Sequence, residues 1–404
     1  MGDQAAPVRP ASAVEAASPV EPASAVGAVS ARTSRGRRQW PLPKQADPDA
    51  PLLVVENLRT YFTLSSGIVK AVDGVSFELH DGEALGIAGE SGCGKTTTAL
   101  SLLRLLPPNA RVVEGSVKLF GIDLAQKSEN ALRRYRWREI SVIFQGAMNA
   151  LNPVQRVGDQ VAEPIVERLG LPKAEAKRRA RELLEMVGIA RDRAADYPHQ
   201  LSGGMRQRAM IAMALACDPA IVIGDEPTTA LDVMVQAQIL ELLERLREEL
   251  GLSLILITHD LSVIAETCDR VMVMYAGRVA EEGPVRTIFS GPRHPYTQML
   301  LAAIPNLDSD KRLLATIPGS PPDLRTPPPG CRFHPRCPMA MDVCREVVPP
   351  EVRYADGVRV ACHLYPPGGD GARRPIPVLE LTGADAVSPR PSPAGEQDPV
   401  RVLP

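Results

Sequence analysis

Aromatic residues are scarce in this sequence, and long apolar runs are missing from it. Phe, Trp and Tyr make up 4% of the 404 residues. Even the largely apolar stretch at 252–257 is far shorter than the roughly 20 residues that cross a bilayer. We therefore expect no transmembrane helix. The 44% of hydrophobic residues still suffices for one large core or two modest ones, which excludes a wholly disordered chain.

A large net charge is missing as well. Lys and Arg total 46 against 48 for Asp and Glu, which gives a formal net charge of -2. Without a global basic field we expect no nucleic-acid partner. No apolar segment follows the first residues, so we expect no secretory signal and a reducing, cytosolic setting. In that setting the seven cysteines are thiols or metal ligands rather than disulfides.

Proline is abundant but unevenly distributed, and it marks the domain boundaries. Of the 39 prolines, eight lie in residues 1–51 and twenty lie from residue 305 onward. Segments rich in Pro, Ala and Ser bury too little apolar surface to offset chain entropy. We predict a disordered tail over 1–50, an α/β domain over 51–304, a C-terminal extension over 305–366 and a second disordered tail over 367–404.

Within the α/β domain, predicted strands alternate with predicted helices. Apolar runs typical of strands are LLVVENL, AVDGVSFEL, EALGIAG, ISVIF, AIVIG, LSLILIT, VMVMY and GRVAEEG. Helical patterns begin near Lys95, in PKAEAKRRARELLEMVG, after Leu201 and from about Asp232 to Leu250. This alternation predicts a largely parallel sheet with right-handed crossovers.

A glycine-rich turn follows the strand EALGIAG and leads into the next helix. The segment GESGCGKT at 89–96 matches the phosphate-binding pattern G-x-x-x-x-G-K-[ST] in the required strand-turn-helix context. Its backbone N–H groups and the helix N-terminus favour a bound anion. We expect Lys95 to reach the β- and γ-phosphates and Thr96 to bind Mg²⁺. The predicted ATP-binding residues in this loop are Gly89, Ser91, Gly92, Cys93, Gly94, Lys95, Thr96 and Thr97.

An acidic pair ends the strand AIVIG. Asp225 and Glu226 follow its last residue, at the end of a parallel strand that should lie beside the phosphate-binding loop. Asp225 is the predicted second contact to Mg²⁺. Glu226 is the candidate general base that polarises a water in line with the γ-phosphate.

The run Leu201-Ser202-Gly203-Gly204 opens a helix shortly before the acidic pair. Here the chain resembles the ATP-binding cassette (ABC) family. The resemblance implies a P-loop NTPase (RecA-like) fold over 51–304, with antiparallel β and α-helical subdomains, the latter at about 146–215, and an irregular Cys-containing extension. It also implies roles at positions that match family motifs. Gln145 would sense Mg²⁺ and the γ-phosphate, and His259 would be the switch histidine. Phe62, rather than its neighbour Tyr61, would stack on adenine, and Ser202, Gly203, Gly204 and Asp232 would face the ATP of a second cassette.

Two further segments resemble the oligopeptide/dipeptide/nickel importer subfamily of ABC ATPases. They are 145–153, after the predicted Gln145 loop, and Arg293-His294-Pro295-Tyr296-Thr297. This resemblance implies an ATPase subunit that powers uptake of peptides, or of a related solute such as nickel. It would pair with a second ABC ATPase subunit, with a heterodimer favoured over a homodimer. Two membrane permease subunits would hold it at the cytoplasmic face of the membrane and link it indirectly to an extracellular solute-binding protein.

Four of the seven cysteines are concentrated in the extension, at Cys331, Cys337, Cys344 and Cys362. Such a cluster in a cytosolic chain predicts a ligand set. Four thiolates suit either an iron-sulfur cluster or zinc. The subfamily resemblance favours a [4Fe-4S] cluster, with Zn²⁺ and unligated thiols as alternatives.

Two other function classes stay open at this point. One is a soluble ABC ATPase that acts on DNA, ribosomes or iron-sulfur assembly and is not coupled to transport. The spacing of only about a hundred residues between Lys95 and Ser202, without sustained heptads, argues against the DNA-repair type. The other is a non-catalytic binding module, which would be expected to have lost Lys95 or Glu226.

Overall fold

The computed structural model describes residues 50–146, 150–229, 231–303 and 317–376. The strands are β1 Leu53–Leu64, β2 Gly67–Leu79, β3 Ala84–Ala88, β4 Ala110–Leu119, β5 Ile122–Asp123, β6 Ile140–Ile143, β7 Ile221–Asp225, β8 Ser253–Ile257, β9 Arg270–Tyr275, β10 Arg278–Pro284, β11 Glu351–Arg353 and β12 Arg359–Ala361. The helices are α1 Lys95–Leu102, α2 Glu129–Leu132, α3 Val157–Leu169, α4 Lys173–Met186, α5 Gly203–Ala214, α6 Val233–Leu250, α7 Leu261–Thr267, α8 Val285–Ser290, α9 Pro295–Ala302 and α10 Val343–Glu346.

The strands and helices predicted from the sequence are confirmed, with boundary shifts of a few residues and longer first strands. The predicted tails fall outside the described residues at 1–49 and 377–404. Residues 367–376, which the sequence assigns to the second tail, are described. They carry no helix or strand, yet hydrogen bonds join them to the body of the protein, as between Ile376 N–H and the Gln298 side chain.

The central sheet has eight strands in the order β11-β12-β10-β9-β3-β8-β7-β6. β3 pairs in parallel with β8 and β9, and β7 pairs in parallel with β6 and β8. β3, β7 and β8 are buried along their whole length, which explains their largely apolar sequences. Parallel pairing brings the carboxyl ends of β3, β6, β7 and β8 to one edge of the sheet, where ligands bind in such folds.

Two subdomains flank this sheet, as the family resemblance implies. The first is a four-stranded sheet of order β2-β1-β4-β5 whose pairings are antiparallel. The second contains α3 and α4, whose apolar faces pack into the main core together with α5. Leu183, Leu184 and Val187 form the predicted apolar stripe of α4 and its C-terminus, and all three are buried.

The C-terminal extension is less irregular than the sequence suggests. β12 pairs with β10, and β11 pairs with β12, so the extension adds two short strands to the edge of the central sheet. Phe333 is 1% exposed and its ring lies 5.1 Å from that of Tyr275 and 5.3 Å from that of Tyr296. The extension is therefore anchored by the core of the α/β domain as well as by its own contacts. No helix in the described part of the chain combines the length and the apolar character needed to span a membrane.

Candidate nucleotide site

The phosphate-binding loop joins β3 to α1, as predicted. Close packing of the backbone requires glycine at two of its positions. Gly89 and Gly94 have φ angles of 143° and 106°. A Cβ at Gly89 would lie 2.2 Å from the carbonyl oxygen of Met274, and one at Gly94 would lie 2.2 Å from that of Ala71. Both positions therefore exclude any side chain, whatever the bound ligand.

Lys95 and Thr96 begin helix α1 at the centre of the site. The Lys95 ammonium donates hydrogen bonds to the carbonyl oxygens of Gly89 at 2.7 Å and Glu90 at 3.0 Å, and Lys95 is only 6% exposed. The Thr96 hydroxyl donates to Asp225 at 3.0 Å. Burial raises the pKa of Asp225, and the hydrogen bond from Thr96 opposes part of that rise. These two oxygen ligands fit Mg²⁺, which takes few protein ligands when substrate phosphates supply the others.

Glu226 is the point at which distant parts of the sequence converge. Its carboxylate accepts a hydrogen bond from Gln145 Nε2 at 2.8 Å and another from the Thr229 hydroxyl at 2.9 Å. His259 Nδ1 lies 3.3 Å from the other carboxylate oxygen. Glu226 itself has a φ of 47°, a left-handed conformation that is unusual for glutamate.

The sequence motifs predict Gln145, Glu226 and His259 separately, and the structure brings the three together. Thr229 was missed, because a threonine in a turn has no distinctive pattern. Its position three residues after Glu226 is the signal that could have identified it, since the two side chains then meet across one turn of the chain.

A cavity of about 470 Å³ opens in front of the loop. That volume is in the range of small-molecule sites. Phe62 lines it, whereas the hydroxyl of Tyr61 donates to Asp73 at 2.7 Å. The other lining residues are Leu64, Val69, Ala71, Ser91, Gly92, Gly94, Lys95, Thr96, Thr97, Gln145, Glu226 and Leu324. Gly89 and Cys93 shape the loop from behind; Cys93 is 4% exposed, and burial raises the pKa of its thiol.

The signature residues lie on a different surface. Ser202, Gly203, Gly204 and Asp232 are not among the residues that line the cavity. Ser202 caps α5 by accepting a hydrogen bond from Met205 N–H at 3.3 Å, and Asp232 caps α6 by accepting one from Val235 N–H at 2.9 Å. The helix α5 begins with two half-buried glycines after an exposed serine, away from this cavity.

The four cysteines of the extension are buried or half-buried. Burial raises the pKa of the Cys362 thiol to about 12, with smaller contributions from charge on Cys331, Cys337 and Cys344. All four are free thiols. Within the described ranges, however, no three His, Cys, Asp or Glu side chains are arranged to hold a metal ion. The iron-sulfur and zinc predictions are therefore not confirmed.

The fold and the site together define a P-loop nucleotide-binding protein of the ATP-binding cassette type. Residues 72–229 match the ABC transporter family, and residues 280–344 match the C-terminal region of oligopeptide/dipeptide transporters. The chain is 49% identical to the dipeptide transport ATP-binding protein DppD of Bacillus subtilis (strain 168), over 78% of this chain and 94% of that protein. It is 47% identical to the oligopeptide transport ATP-binding protein AppD of the same organism, over 78% of this chain and 97% of that protein.

Solved structures show the same fold. A dimeric ATP-binding cassette in a post-hydrolysis state, bound to ADP and Pi, is 31% identical, with a TM-score of 0.52 and coverage of 58% of this chain and 99% of that chain. This chain belongs to the ATP-binding proteins of the ABC transporter family, in the group that carries the oligopeptide/dipeptide C-terminal region. It is an ABC-type ATPase.

Proposed function

We propose that this chain is the ATP-hydrolysing subunit of an importer for dipeptides or oligopeptides and acts through separate membrane permease subunits. The names of its relatives DppD and AppD and the match at 280–344 support peptides as the cargo. Nothing in the described site favours nickel. The permease contact would place the chain at the cytoplasmic face of the membrane.

The hydrogen bonds that converge on Glu226 are the observation that carries the catalytic proposal. Gln145, Thr229 and His259 fix this carboxylate from three parts of the chain, at the end of a buried parallel strand. A base held in this way is oriented before substrate arrives, so it can take a proton from a water that attacks the γ-phosphate. In this scheme His259 and Gln145 position Glu226 and respond to the phosphate.

The remaining residues would bind and orient ATP. The loop at 89–97 would surround the phosphates with N–H groups, and Lys95 would leave its carbonyl partners for the β- and γ-phosphate oxygens. Thr96, Gln145 and Asp225 would hold Mg²⁺, which neutralises charge on the transferred phosphoryl group. Phe62 would stack on the base.

Two cassettes would act together. Ser202, Gly203, Gly204 and Asp232 lie outside the cavity of their own chain, which supports a role toward nucleotide bound by a second ABC subunit. ATP-driven closure of the pair and reopening after hydrolysis would transmit motion to the permeases. We favour a heterodimer, as the subfamily resemblance implies.

Uptake by cells that depend on this chain tests the cargo. We expect Lys95→Ala and Glu226→Gln to abolish uptake of radiolabelled di- and oligopeptides and to leave nickel uptake unchanged. The exposed Glu241→Gln serves as a control that retains uptake. Loss of nickel uptake alone would assign nickel as the cargo, and no effect on either would favour an ABC ATPase that is not coupled to transport.

We also propose that Cys331, Cys337, Cys344 and Cys362 form a soft-metal ligand set, a [4Fe-4S] cluster rather than Zn²⁺. The concentration of four cysteines within the extension and the subfamily resemblance support this. Anaerobic purification followed by iron, sulfide and zinc analysis is the test. Iron with equimolar sulfide is expected, zinc without sulfide would overturn the cluster, and neither metal would overturn the ligand set.

A further inference from the structure

An ion pair joins the C-terminal extension to the phosphate-binding loop. Arg336 donates to both carboxylate oxygens of Glu90, at 2.7 and 3.0 Å. The two residues are 246 positions apart in the sequence. The side chain of Arg336 is 5% exposed and that of Glu90 is 24% exposed, so the pair is shielded from most of the solvent. Two parallel hydrogen bonds of this kind fix orientation as well as distance.

Glu90 is held on its other sides too. Its backbone N–H donates to the hydroxyl of Tyr296, at 2.9 Å, and its carbonyl oxygen accepts from Lys95. Glu90 directly precedes Ser91, which lines the cavity. A shift of Glu90 would therefore displace both the lysine and the N–H groups that face a phosphate.

The same guanidinium holds a second part of the extension. Arg336 Nε donates to the carbonyl oxygen of Pro318 at 2.8 Å, and Nη2 lies 3.4 Å from that of Ile317. Six residues after Pro318 lies Leu324, which lines the nucleotide cavity. Its carbonyl oxygen accepts a hydrogen bond from Lys70 N–H at 3.0 Å. Arg336 therefore connects the phosphate-binding loop to the segment that carries Leu324, an apolar residue in the wall of the cavity.

We propose that Arg336 is a positioning residue for ATP: it fixes the phosphate-binding loop through Glu90 and holds the segment that presents Leu324 to the cavity. The extension then belongs to the nucleotide site rather than being an appendage to it. This inference rests on the proposed nucleotide site.

The affinity of the full chain for MgATP, measured by equilibrium titration, tests this role. We expect Arg336→Gln and Glu90→Gln each to raise the Kd about tenfold, because the loss of a partly buried charge-assisted pair is worth about one power of ten in an equilibrium. The double variant should show no larger rise than Arg336→Gln alone, since Arg336→Gln has already removed the interaction that Glu90→Gln removes. Arg336→Lys keeps the charge without the bidentate geometry, so its Kd should be intermediate and its unfolding temperature near that of the wild type.

Arg293→Gln is the matched control. Arg293 is also largely buried and pairs with Asp356, at 2.7 Å, but it has no contact with the loop. It should lower the unfolding temperature without raising the Kd. An unchanged Kd in Arg336→Gln, additive effects in the double variant, or an equal rise in Arg293→Gln would overturn the proposal. Failure of the wild-type chain to bind MgATP would instead remove the proposed nucleotide site, and this inference with it.

Discussion

The α/β domain and the C-terminal extension are built on different principles. The proposed nucleotide site of the domain consists of a contiguous loop and residues at the ends of parallel strands, so backbone topology brings its parts together. Besides its strand pairing and the buried Phe333, the extension is attached by charged side chains that reach far back in the sequence, as Arg332 reaches Asp73. Local motifs and backbone topology position the residues of the site, whereas arginines that pair with residues far away in the sequence help to join the extension to the domain.

The contrast between the two regions predicts that residues at the strand ends control ATP hydrolysis. Replacing Glu226 by Gln removes the base but keeps a hydrogen-bonding side chain of the same size. We expect ATP hydrolysis to fall about a hundredfold or more, while ATP binding persists, since a general base contributes 10²–10⁴ in rate. Phosphate release and ATP binding should be measured on the same preparation. Hydrolysis above a tenth of the wild-type rate would show that Glu226 is not the main base.

The attachment of the extension can be tested at Arg332. This side chain and that of Asp73 are each 5% exposed, and Arg332 also donates to the carbonyl oxygen of Ala276. We expect Arg332→Met to lower the free energy of unfolding by about 3 kcal/mol, because it leaves buried acceptors with fewer partners. Chemical denaturation is the measurement.

Arg325→Gln is the control for that experiment. Its ion pair with Asp323 is formed by side chains that are 44% and 45% exposed, and such surface pairs contribute little. We expect no measurable loss of stability. If the two substitutions had equal effects, burial would not explain how the extension is anchored.

The backbone basis of the nucleotide site is tested by two glycines of the same loop. Gly94→Ala would place a Cβ 2.2 Å from the Ala71 carbonyl oxygen, whereas Gly92→Ala meets nothing within 4 Å. Both residues have positive φ. We expect losses of about 2 kcal/mol for Gly94→Ala and about 1 kcal/mol for Gly92→Ala, measured without nucleotide. Equal losses would mean that φ rather than close packing dictates Gly94.

The smallest expected effect concerns pH and His294, where the extension joins the domain. His294 is 3% exposed, and burial lowers its pKa from 6.5 to about 3. The unfolded chain therefore binds a proton that the folded chain does not, so stability falls as pH drops from about 6.5 toward 3. Asn at this position can still cap α9 but does not titrate.

His294→Asn should accordingly show a flatter unfolding temperature between pH 6.5 and pH 4 than the wild type. The neighbouring Glu281 has a pKa raised to about 7 by burial, and its titration favours the folded state as pH falls from about 7 to 4.5. That contribution is common to both proteins and cancels in their difference. Identical pH profiles would refute a neutral, buried His294.

The two regions also differ in how much of their structure could be predicted from the sequence. The sequence predicts residues 89–96 because each motif residue has a local geometric role, and Asp225 and Glu226 because they end an apolar strand. Gln145 and His259 are predicted from the family resemblance. Glu90 occupies a variable position of the loop pattern, so nothing local indicates that Arg336 binds it. Likewise, β11 and β12 are only three residues each, too short for alternation to be recognised.

The central claim is that the extension and the α/β domain enclose one nucleotide site. Photolabelling of the full chain with 8-azido-ATP and Mg²⁺, followed by peptide mapping, tests it most directly, because the label reacts with what surrounds the base. The label should fall on the β1 segment that contains Phe62 and on residues 317–325, which contain Leu324. Excess unlabelled ATP should abolish it. Competed labelling of the β1 segment without any on 317–325 would contradict the account.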